Sequence, residues 1–172
     1  NNTAVGCQAG YANTTGEITA LGYTAGYSNT TGTLNTAVGQ SALYTNSTGA
    51  RNTAVGRSAL QNATTAGDNT GVGFAASNAI TTGAYNTSLG SYALYSNTTA
   101  SYNTAVGYQA GYSNTTGANA TSIGYQAGYN NVTGNFSVSV GYQALYGGAS
   151  ADVDRAVAVG AYALKSATTG DY

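Results

Sequence analysis

The chain has 172 residues, with 25 glycines, 16 tyrosines, two phenylalanines, one cysteine, and no histidine, proline, tryptophan or methionine. Four Lys plus Arg against five Asp plus Glu give a net charge of −1, and charged residues make up only 5%. This composition excludes the usual zinc sites, Ser-His and Cys-His catalysis, an electrostatic footprint for nucleic acid and a disulfide framework within one chain.

Leu, Ile, Val and Phe total 24 residues, fewer than an ordinary globular core needs. Disordered chains of that kind carry high net charge and few aromatics, whereas this one is nearly neutral and rich in Tyr. The balance points to a repetitive fibrous fold. No run of 18 apolar residues is available to cross a bilayer. No signal peptide is visible and the chain does not begin with Met, so a piece of a longer chain is expected.

One pattern recurs from end to end: a branched aliphatic residue followed by Gly. The glycines are Gly6, Gly22, Gly39, Gly56, Gly73, Gly90, Gly107, Gly124, Gly141 and Gly160, spaced by 16, then seven times by 17, then by 19 residues. The preceding residues are Val5, Leu21, Val38, Val55, Val72, Leu89, Val106, Ile123, Val140 and Val159. Three residues after each Gly stands an Ala, from Ala9 and Ala25 to Ala144 and Ala163. A fixed period of this length signals a solenoid. In Thr3-Ala4-Val5 and its counterparts, period-2 alternation bounded by Gly predicts a short strand. Thr and Val are expected to share the inward face, and the invariant Ala column to be buried. Asn-Thr-Thr-Gly, as at 13–16, is turn chemistry. Two short strands and two turns per unit would stack at about 4.8 Å. The expectation is an all-β parallel β-solenoid of about ten 17-residue coils. It forms a single domain over 1–172, with a longer loop insertion near 147–155.

Each coil offers little apolar volume, while small apolar residues lie on both strand faces. Strands covered on both sides read this way, so a homotrimer or filament of copies is expected. The units Asn2-Thr3-Ala4-Val5-Gly6, Asn35-Thr36-Ala37-Val38-Gly39, Asn52-Thr53-Ala54-Val55-Gly56 and Asn103-Thr104-Ala105-Val106-Gly107 resemble the head repeats of trimeric autotransporter adhesins of the YadA type. They are similar also to repeats of phage and viral tail-fibre proteins. The resemblance implies a left-handed parallel β-roll, three intertwined chains and adhesion at a cell or virion surface.

Candidate sites follow the columns. Tyr11, Tyr27, Tyr44, Tyr95, Tyr112, Tyr129 and Tyr146 stand five residues after the invariant Gly, and Tyr23, Tyr108, Tyr125 and Tyr142 one residue after it. They form either a surface for stacking sugar rings or a ladder covering the coil edges. Asn13, Asn29, Asn97 and Asn114 begin N-x-[S/T] acceptors in the turns and are expected on exposed loops. Further matches lie at Asn1, Asn46, Asn62, Asn86, Asn119, Asn131 and Asn135. Asp152-Val153-Asp154 in the insertion is a weak cation motif. Gly71-Val72-Gly73-Phe74-Ala75-Ala76 matches a dinucleotide fingerprint but is the ordinary repeat with Gly for Ala. Cys7 reads as an inert side chain. No catalytic residue, cofactor, metal, nucleic acid or membrane insertion by this segment is expected.

The leading reading is a non-catalytic, extracellular adhesive or structural fibre segment. Its partners are copies of itself and a cell-surface glycan or protein. The alternative is an ice-binding solenoid using the column Thr3, Thr19, Thr36, Thr53, Thr70, Thr87, Thr104 and Thr121. The expected inward direction of those Thr weighs against it.

Overall fold

The computed structural model describes residues 1–147 and 153–168. Ten strands occur among them: β1 (Thr3–Val5), β2 (Ile18–Leu21), β3 (Asn35–Val38), β4 (Thr53–Val55), β5 (Thr70–Val72), β6 (Thr87–Leu89), β7 (Thr104–Val106), β8 (Thr121–Ile123), β9 (Val138–Val140) and β10 (Val157–Val159). They form one parallel sheet in sequence order. Each coil therefore sits on the one before it, and the chain is a β-solenoid. Pairing is between equivalent residues: Thr53 with Thr70, Ala54 with Gly71 and Val55 with Val72. The period-2 reading placed the strands correctly.

Each coil contributes one strand to the ladder, not the expected two. The rest of the coil is turn, yet its backbone still bonds from coil to coil. The Leu60 N–H donates to the Ala76 carbonyl (3.0 Å) and the Ser58 N–H to the Gln40 carbonyl (2.9 Å). The second side fails to become a regular strand because its residues alternate in hand. The second and fourth residues after the invariant Gly have φ near +50 to +60° in coil after coil, as in Gln109 (54°), Leu60 (49°) and Leu94 (49°). Left-handed φ at a non-glycine residue costs about 1–2 kcal/mol. The same two corners recur because the coil-to-coil ladder bonds hold them, and in four coils a buried Leu anchors the second.

The direction of the strand faces is the main correction. Ala20, Ala37, Ala54 and Ala105 point inward and are fully buried, while Thr and Val of the same strands point outward. Alternation gives the two faces but not which one is inside. The interior decides: the strand Ala column faces the invariant Ala column across a thin coil. That second column is buried from Ala25 to Ala144, as expected. A branched residue at every level would not fit between them. The volume is made up by Leu43, Leu60, Leu94 and Leu145, each 0–2% exposed. Where Gly replaces Leu, a neighbour fills the space: a Cβ on Gly26 would lie 2.3 Å from Ile18 Cδ1.

The invariant Gly column forms the corner after each strand. Gly90 has φ +138°, and a Cβ there would stand 2.4 Å from the Gly107 carbonyl oxygen. Both the conformation and the contact require Gly. A second internal support is polar. Asn35, Asn52, Asn69, Asn86 and Asn103 are buried at successive levels. Each of the first four accepts, through Oδ1, the backbone N–H of the Asn above it, at 2.9–3.1 Å. The Asn86 amide also donates to the Ala100 carbonyl at 2.9 Å.

Candidate functional site: two outward faces

One outward side carries the tyrosines. Tyr11, Tyr27 and Tyr44 stack at 5.2 and 5.1 Å between ring centres. Gln61 and Asn78 then interrupt the column. Tyr95, Tyr112, Tyr129 and Tyr146 resume it at 5.2, 5.0 and 5.1 Å, with planes within 5–8° of parallel. Tyr108, Tyr125 and Tyr142 form a second ladder at 5.5 and 5.1 Å. Tyr92 ties the two together edge-on, 5.5 Å from Tyr95 and 6.4 Å from Tyr108. Stacking at the coil rise occupies the ring faces inside each ladder, so edges and hydroxyls are what it presents outward. Burial, with neighbouring tyrosines adding to it, raises the phenol pKa of Tyr112 and Tyr129 above the ordinary value, and Tyr142 is shifted the same way.

Tyr23 is different. It is 54% exposed, and its column neighbours are Cys7 and Gln40 rather than aromatic residues. Its ring has no stacking partner among the described residues. It borders an open groove of about 310 Å³ with Gln8, Thr24, Tyr27, Ser41, Tyr44 and Gln61. A free aromatic face beside hydroxyls and amides is the combination that holds a sugar ring. Phe74 also has non-aromatic column neighbours on both sides, but it meets Tyr92 edge-on at 5.1 Å.

The other outward side is the sheet. Thr36, Thr53, Thr70, Thr87, Thr104 and Thr121 form one half-buried column, continued at the exposed end by Thr3 and Thr19. The branched residues before the invariant Gly form the second column, with Val72 36%, Leu89 38%, Ile123 39% and Val5 56% exposed. No charged residue stands in either column.

The acceptor asparagines do not meet the expectation of exposure. Asn29, Asn97 and Asn114 are 0–3% exposed, and Asn13 is half-buried. Their amides point into the coil. Asn29 donates to the Asn13 Oδ1 (3.0 Å) and the Gly32 carbonyl (3.0 Å), and Asn114 to the Gly117 carbonyl (2.9 Å). Asn13 likewise donates to the Gly16 carbonyl (3.0 Å). Asn closes the turn from within, so in the folded coil these amides are not presented to a glycosylating enzyme.

Asp152 of the D-x-D motif lies outside the described residues. Asp154 accepts the backbone N–H of Asn135. No group of three or more His, Cys, Asp or Glu placed to hold a metal occurs among the described residues. No helix there is long and apolar enough to cross a membrane. The 71–76 segment is strand and corner, without the helix that a phosphate cradle needs. Cys7 is exposed on the first coil. Compared with known protein families, curated proteins and solved structures, the chain shows no significant match to any of them.

Proposed function

We propose that this chain is a stiff, non-catalytic segment of an extracellular or virion-surface fibre. It binds a surface glycan through many weak contacts along its tyrosine side. The observation that carries the reading is the free ring face of Tyr23 above the groove lined by Gln8, Thr24, Ser41 and Gln61. The Tyr95–Tyr146 ladder adds a row of hydroxyls at coil spacing. Weak sites on one rigid rod gain from each other through effective concentration when the ligand is itself repetitive. A homotrimer or filament of copies is the proposed working unit, supported by the small apolar volume that one chain buries in each coil.

The test is glycan-array binding of the wild-type chain, Tyr23→Ala, and the chain with Tyr95, Tyr112, Tyr129 and Tyr146 all replaced by Ser. Loss of glycan binding in Tyr23→Ala at an unchanged Tm supports the site. Unchanged binding by both variants overturns it. Analytical ultracentrifugation reads the assembly, and a stable monomer at micromolar concentration rejects the trimer.

A further inference from the structure

The sheet face has a property that the tyrosine side lacks: chemical identity at every level. Eight consecutive strands present Thr then Val, Leu or Ile outward, paired in register from Thr3–Thr19 to Thr104–Thr121. Rungs repeat at about 4.8 Å, and Thr and Val on one strand stand about 6.6 Å apart. The array is a lattice two columns wide, held in register from coil to coil.

The Thr hydroxyls set this face apart from one turn column, and the row of Val, Leu and Ile beside them sets it apart from the exposed turn column Thr31, Thr65, Thr82, Thr99 and Thr116. Thr30, Thr64, Thr81, Thr98 and Thr115 also form a column, but each hydroxyl donates to the carbonyl of the next coil at 2.9–3.2 Å. The side-chain hydroxyls of the eight Thr of the sheet face make no hydrogen bond among the described residues. Their hydroxyls are held at fixed intervals beside a column of methyl groups, and the charges that border the face are Glu17, which lines a groove with Thr19 and Thr36, and the Arg51–Asp68 pair two residues ahead of Thr53 and Thr70. Methyl groups restrain the water next to them, and hydroxyls fix where that water bonds. A rigid array doing both along the whole rod prearranges a sheet of water.

We propose that the Thr/Val face binds the surface of ice, with Thr19 to Thr121 as the contact. The reading goes beyond glycan binding and uses a different side of the coil. It requires that the face stay open in any assembly of copies. A second copy is a poorer occupant: burying hydroxyls without partners costs about 1–3 kcal/mol each. Ice supplies a partner for every hydroxyl and repeats in two dimensions as the face does.

The experiment is thermal hysteresis together with inhibition of ice recrystallisation, on the full chain, with circular dichroism melts as the control for folding. Three variants are compared: Thr87→Lys and Thr70→Tyr in the centre of the face, and Thr82→Lys in an exposed turn. The expected result is activity in wild type and Thr82→Lys, and loss of most of it in the two face variants at unchanged Tm. Absence of activity in the wild type, or equal loss in Thr82→Lys, overturns the proposal. So does a face variant that turns an oligomer into monomers, since copies would then occupy the face. Glycan binding is unaffected by any of these outcomes, so the two readings fail separately.

Discussion

The two outward sides of this rod are built from the same repeat and differ in how faithfully they repeat. On the sheet face the Thr column runs unchanged over eight strands, and its neighbour is always Val, Leu or Ile. On the tyrosine side the residue after the invariant Gly is in turn Cys7, Tyr23, Gln40, Arg57, Phe74, Ser91, Tyr108, Tyr125, Tyr142 and Ala161. A surface that repeats suits a ligand that repeats. A surface that varies offers individual sites, such as the groove at Tyr23, on a common scaffold. The invariant Gly corner separates the two sides and ties them together.

That corner is where the comparison breaks most easily. Gly90→Ala forces a side chain into the Gly107 backbone at a positive φ, and should cost about 3 kcal/mol or more. Gly160→Ala meets nothing within 4 Å and retains only the conformational strain at φ +116°, so it should cost about 1–2 kcal/mol. Urea unfolding of the pair separates the steric from the torsional part, and both outward faces should be lost together in Gly90→Ala.

The next effect should fall on the polar support behind the sheet face. Asn86→Ala removes the acceptor of the Asn103 N–H and the donor to the Ala100 carbonyl, both buried. Leaving them unpaired should cost about 3 kcal/mol, read as a lower denaturation midpoint. On the tyrosine side, Tyr129→Ser breaks two stacks and should cost about 1–2 kcal/mol.

Alkaline titration sharpens the same contrast. The phenols of Tyr112, Tyr129 and Tyr142 have pKa values raised in the folded chain. Their contribution is complete below the ordinary phenol pKa and is lost as pH rises through the raised values. Melting temperature should therefore hold level through neutral pH and fall above about pH 10, with ionisation followed by ultraviolet absorbance. The smallest effect is expected on the sheet face: Thr87→Lys, pointing into solvent, should stay within about 0.5 kcal/mol of wild type.

Much of the fold was legible in the sequence because columns of identical residues can only be stacked levels. The Val-Gly spacing gave the coil, the alternation gave the strands, and the invariant Ala gave a buried row. The facing of the strand was not legible, since Ala, Thr and Val are all small enough to be buried. What decides is the coil's thickness, which emerges only when the two Ala columns meet. The asparagines misled for a related reason. Asn13, Asn29 and Asn114 do shape turns, but by reaching inward to carbonyls rather than outward to water, and Asn97 accepts the Ala100 N–H from within. Nor could the left-handed corners be anticipated at Leu43, Leu60 or Gln109, whose intrinsic preference opposes them and whose neighbours in space impose them. At the candidate site, the Tyr columns were visible, but not that stacking would cover the faces of most and leave Tyr23 bare.

Each strand of the sheet touches only the strands directly before and after it. Stability in such an array is a sum of repeat and neighbour terms. Length is therefore a free parameter for inheritance. A slip during replication that duplicates or deletes one whole repeat keeps the reading frame and leaves every remaining interface intact. A lineage carrying this chain can lengthen or shorten its reach without inventing a contact, and single copies are free to drift in the residues they show outward.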